Sequence, residues 1–152
     1  MADALRERIT EAPYADAPLI LWEAWQSGHM TADHLARLAS WVWGRAGAER
    51  HTALTRPQWR QLFTAAGFTR NGQPDTAPHA LTLYRGSPVK YRANWSWTER
   101  VDVAEGYAHQ HDGQVWTLTA PSCAILAYRY SPVLDISEYV VDTKGLEIRE
   151  HQ

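Results

Sequence analysis

One cysteine, two methionines and two phenylalanines are all that 152 residues hold of those types. A lone Cys123 excludes a disulfide framework and any zinc site built from cysteines. An excess of one charge is missing too, since 15 lysines and arginines face 17 aspartates and glutamates, for a formal net charge of −2. That balance gives no global field suited to nucleic acid or to an anionic membrane surface. No apolar run approaches membrane-spanning length. A glycine-rich dinucleotide loop, a P-loop, a nucleophile elbow and an HExxH helix are all absent from the sequence. Met1 to Glu7 has no apolar signal core, so a cytoplasmic location is expected, either in the producing cell or after delivery into a target cell.

Tryptophan is what the chain has in quantity. Eight indoles within a 45% hydrophobic composition can fill a substantial core, and 21% charged residues argue against disorder over the whole length. A single domain over 1–152 is expected, with a helical part over 1–70 and a β-rich core over 80–150. Helical patterns cover 3–11 and 19–27, the second closing at Gly28. A third helix starts at a Thr31 cap, carries Leu35, Leu38 and Val42 on one face, and is expected to stop at Gly44. Thr55-Arg56-Pro57-Gln58 reads as a capping box that opens a helix bearing Trp59, Leu62, Phe63 and Ala66, ended by Gly67. Residues 67–80, with Asn71-Gly72, Pro74 and Pro78, read as a connector. Strands follow over 81–85, 114–119, 123–130 and 137–141, with a weaker one at 146–149. One helix interrupts them, capped by Thr98 and lined by Val101, Ala104 and Ala108. Helices first and strands later define an α+β protein.

Three stretches carry chemistry. Arg85 continues the strand face of Leu81 and Leu83, where a charge is costly unless an anion meets it. It is either a structural ion pair or a guanidinium clamp for phosphate, and Gly86 beside it would let a ligand approach the backbone. In Trp95-Ser96-Trp97-Thr98 the two hydroxyls share one side of an extended segment, just before a helix N-terminus suited to anions. Glu138 precedes Tyr139-Val140-Val141; it is either a solvated strand end or, inside a cleft, a carboxylate that stabilises a developing cation.

Taken in order, Leu81-Thr82-Leu83-Tyr84-Arg85-Gly86, Trp95-Ser96-Trp97-Thr98, Ala104-Glu105-Gly106-Tyr107-Ala108 and Glu138-Tyr139-Val140-Val141-Asp142 resemble the mono-ADP-ribosyltransferases, and more closely their Arg–Ser–Glu branch of bacterial toxins and phage enzymes. The resemblance spans about residues 81–148 and implies a split β core with a helical N-terminal extension. It implies that NAD is the substrate, that no metal is needed, and that ADP-ribose passes to a macromolecular acceptor, a host or cellular protein, or to water. Arg85 and Gly86 would then hold the NAD phosphates. Ser96, Trp97 and Thr98 would stand for the family's Ser-Thr-Ser, Tyr107 for an aromatic wall near nicotinamide, and Glu138 for the catalytic carboxylate. Arginine-modifying members carry a second acid two positions before that glutamate, where this chain has Ile136. Asp135 has the wrong parity to replace it. The rival expectations are a transferase-like binding module without turnover, and a metal hydrolase using His109 and His111. Trp22, Trp25, Trp41 and Trp43 suit core packing or, where exposed, a partner surface.

Overall fold

Short-range chemistry sets the helix ends in the N-terminal half. In this computed structural model, which describes residues 2–152 with side chains from residue 4 onward, α1 covers Ala2–Glu11 and α2 Ala17–Gln26. α2 begins two residues before the apolar pattern because Pro18 fits its first turn. Thr31 opens α3 (Ala32–Ala46) by accepting the His34 N–H at 3.1 Å. That helix runs through Gly44 rather than stopping there. Trp43 and Ala46 are buried on its core face, and such burial outweighs the roughly 1 kcal/mol helix cost of a glycine. It ends instead at Gly47, with φ +52°, and Arg50 Nε donates to the Trp43 carbonyl at 2.7 Å. A short α4 (Arg50–Ala53) leads to α5 (Arg56–Ala66), whose capping box is complete. Thr55 N–H donates to Gln58 Oε1 at 2.8 Å, and Gln58 N–H donates to Thr55 Oγ1 at 3.2 Å.

The connector contains a hairpin. β1 (Thr69–Arg70) and β2 (Gln73–Pro74) pair antiparallel around Asn71 and Gly72, both at positive φ (51° and 79°), as a two-residue primed turn requires. The chain divides into two compact units, Met1–Asp75 and Thr76–Gln152. In the first, Trp43, Trp59 and Phe63 form the aromatic centre, with Trp43 and Trp59 edge-to-face at 5.0 Å between ring centroids.

The second unit is β-rich. β3 (Ala80–Ser87) pairs with β5 (Gln114–Pro121), which pairs with β8 (Arg149–Glu150). A second antiparallel set places β7 (Ile136–Val141) between β6 (Ile125–Ser131) and β4 (Ser96–Trp97). The two sets meet where Tyr84 and Thr98 exchange backbone hydrogen bonds of 2.8 and 2.9 Å. The protein is therefore mixed α+β with two sheets. α6 (Val101–Gln110) packs Ala104 and Ala108 on β3. Its N-cap is Arg100, without a side-chain cap, so Thr98 does not occupy the capping position. The Thr98 hydroxyl instead accepts the Arg100 N–H at 3.1 Å. Among the described residues, no helix is long and apolar enough to cross a membrane.

Candidate active site

The Tyr84–Thr98 bridge brings two distant stretches together. Arg85 follows Tyr84 on β3, and Ser96 lies two residues before Thr98 on β4, so the bridge draws both to one seam. Arg85 Nη1 donates to the Ser96 carbonyl at 3.0 Å, and its Nε donates to the Tyr91 carbonyl at 3.0 Å. These two carbonyls fix the plane of the guanidinium.

Register explains the next contact. Ser96 stands opposite Val140 on β7, which makes Glu138 its diagonal neighbour on the same sheet face. The Ser96 hydroxyl donates to Glu138 Oε2. Glu138 is not a solvated strand end, since only 4% of the residue is exposed. Directly across β6 sits Arg129, whose Nη1 meets Glu138 Oε1 at 2.6 Å. Arg85, Ser96, Glu138 and Arg129 thus form one continuous chain of hydrogen bonds drawn from four strands.

The other residues singled out from the sequence lie around this chain or behind β3. Trp97 is 1% exposed, and its indole N–H donates to the Asn94 carbonyl at 2.7 Å, on the face opposite Ser96. Thr98 is buried and ties β4 to β3. At Gly86, a Cβ would stand 1.9 Å from the Ala104 carbonyl oxygen and 2.5 Å from the Ala108 nitrogen, so the close backbone approach there is made by α6. Arg85 and Gly86 point to opposite faces of β3, which puts α6 behind the strand as seen from Arg85. Tyr107 lies on that helix, 45% exposed, stacked on His111 at 6.4 Å. No hydrogen bond or ring contact joins it to the Arg85–Ser96–Glu138 chain.

An ionic cluster links the segment after Thr98 with the turn before β7. Arg100 bridges Asp135 (3.0 Å) and Asp102 (3.1 Å), tying the turn before β7 to the start of α6. Asp135 is thereby engaged at the surface, at φ 49°. The hydrogen bond from Arg100 holds the Asp102 carboxyl below its usual value of 3.8, and the bond that Arg100 donates to Asp135 raises the guanidinium further. Among the described residues, no group of three or more His, Cys, Asp or Glu could hold a metal ion, and His109 and His111 gain no third ligand.

Arg129 is the residue that the sequence reading passed over. Its signal was a lone charge in the run Ala124 to Tyr130 that, paired in register, falls opposite the lone charge of the next strand. Comparison of the chain with protein-family models, curated proteins and solved structures gave no match.

Proposed function

We propose that this chain is an NAD-dependent glycosyl-transfer enzyme, with its chemistry centred on Glu138. More narrowly, the reading is a mono-ADP-ribosyltransferase of the Arg–Ser–Glu type, with an ADP-ribosyltransferase-like split β core. The observation that carries it is the convergence of three sequence-distant groups: Arg85 bound to the Ser96 carbonyl, and the Ser96 hydroxyl bound to the Glu138 carboxylate.

The chemistry follows from charge. Breaking the bond between ribose and nicotinamide builds positive charge on the sugar. A fixed carboxylate favours that state over the neutral ground state and so lowers the barrier. Glu138 is held ready by Ser96, so little reorganisation is needed when charge develops. Arg85, with its plane fixed by two carbonyls, supplies the cation for the pyrophosphate. Ile136, two residues before Glu138 and on its face, offers no second acid–base group, which leaves the acceptor open between a macromolecule and water. Trp22, Trp25 and Trp41 are half-buried and suit a partner surface, whereas Trp43 belongs to the core.

A second reading draws on the same contacts. Both oxygens of Glu138 are engaged and Arg85 rests on backbone carbonyls, as a scaffold that binds without turnover would also have it. Nicotinamide release from NAD separates the two. The wild-type protein is expected to release it, and Glu138→Gln to lower the rate by roughly 10²–10³ with an unchanged circular dichroism spectrum. NAD-dependent thermal stabilisation with no release would favour the binding module. Equal rates in both proteins would remove Glu138 from the mechanism.

A further inference from the structure

The transferase reading requires Glu138 to be charged and aimed, and the fold buries it. A carboxylate withdrawn to 5% side-chain exposure shifts toward its neutral form unless a cation or strong donors support the anion. We propose that Arg129 is the positioning residue that keeps Glu138 ionised and fixes its rotamer, a role that rests on the reading above. Three observations carry it. Arg129 and Glu138 are direct partners in the β6–β7 register, so the pair is set by strand pairing and not by a mobile loop. The contact is a short charge-assisted hydrogen bond of 2.6 Å. It engages Oε1, while Ser96 engages Oε2, so the two donors together fix the carboxylate plane.

Arg129 supplies a cation in direct contact with Glu138, beside the groups of the neighbouring strands. From β4 comes Ser96, which is neutral. From β3 comes Arg85, whose guanidinium donates to the Ser96 carbonyl. On β7 itself, Ser137 and Tyr139 turn to the opposite face. There Tyr139 meets the Tyr128 ring at 4.7 Å, and Ser137 lies 3.3 Å from the Tyr128 hydroxyl. Arg129 places a full positive charge against the acid from the neighbouring strand, with its side chain 26% exposed. A neutral glutamic acid would lose the charge that stabilises the developing cation. A charged but unclamped one would have to be reordered in each turnover.

The test uses full-length Arg129→Gln and Arg129→Lys with two readouts. The first is steady-state nicotinamide release. Arg129→Gln is expected to lose roughly 10- to 100-fold in kcat, the scale seen when a hydrogen-bond partner that orients a metal ligand is removed. KM for NAD should stay within about twofold because the phosphate-binding Arg85 is untouched, and Arg129→Lys should recover most of the loss. The second is ¹³C NMR titration of labelled glutamate carboxyls, with Glu138→Gln identifying the Glu138 signal. Its midpoint is expected to rise by about 1–3 pH units in Arg129→Gln and to stay close to wild type in Arg129→Lys. Wild-type kcat in Arg129→Gln, an unmoved midpoint, or a loss that Lys does not restore would each overturn the proposal. If the wild-type protein releases no nicotinamide, the transferase reading fails, and the titration still decides whether Arg129 holds the acid charged. Should Arg129→Gln not fold, Arg129→Lys carries the test: retained kcat and midpoint support it, and lost kcat with a native spectrum overturns it.

Discussion

At the scale of single residues, the second unit depends on groups whose reason is steric as much as chemical. Gly86 sits beside Arg85 in sequence, yet its missing side chain serves α6, whose backbone fills the place of a Cβ. Both clashing atoms are backbone, so no side chain can swing aside to make room. Gly86→Ala must push α6 off β3 or twist the strand that carries Arg85. Overpacking of this kind is expected to cost about 2–3 kcal/mol. Urea denaturation checks it: the midpoint should fall with little change in slope. An unmoved midpoint would mean that α6 does not press on β3 as described. The same reasoning separates Arg85 from Tyr107, because one faces the seam with β4 while the other rides on the helix behind the strand.

Elements show why some of this was legible and some was not. The Thr31 and Thr55 caps lie within four residues of the atoms they satisfy, so sequence spacing alone reveals them. Thr55 is expected to matter: Thr55→Ala should cost about 1 kcal/mol, while Thr55→Ser should be near neutral. Faster hydrogen exchange at the Gln58 amide in the alanine variant, and not in the serine one, would identify the lost cap as the cause. Asn71-Gly72 was equally local but stood among prolines, and the flanking strands are only two residues each, too short to show alternation. The Gly44 stop failed for the opposite reason, since burial of Trp43 and Ala46 is a tertiary effect that local propensity does not carry. Arg129 was invisible on the same ground. Its meaning appears only once β6 and β7 are in register, and a slip of one residue would turn it to the other face. The bulge between Ile125 and Ala127 shows that this register is not the simplest one the sequence allows. Arg85, Ser96 and Glu138 could be named as candidates, but the bridge that joins them is a pairing between segments, which only the folded chain displays.

For the whole molecule, the division into Met1–Asp75 and Thr76–Gln152 places the proposed site and the Trp43–Trp59–Phe63 cluster in different units. Arg85, Ser96, Arg129 and Glu138 all belong to the second unit, whereas the Trp43–Trp59–Phe63 cluster belongs to the first. Trp59 is fully buried there, stacked with Phe63 at 5.8 Å, and its indole N–H donates to the Arg50 carbonyl at 2.8 Å. Replacing it with alanine removes a large apolar surface, leaves a cavity, and takes the indole donor from that carbonyl, which also accepts the Leu54 N–H. Such a change is expected to cost about 3–5 kcal/mol, enough to lower the melting temperature of a chain this size by roughly 6–20 °C. The chemistry should not follow. On the proposed NAD-dependent reading, Trp59→Ala below the new melting point is expected to keep the wild-type KM for NAD and the wild-type rate per folded molecule, because no group of the Arg85–Ser96–Glu138–Arg129 chain has been touched. Calorimetry paired with nicotinamide release at 15 °C measures both halves of the claim. A KM raised severalfold in protein whose circular dichroism is native would show that the helical unit helps to shape the site, and would end the assignment of the chemistry to the second unit alone.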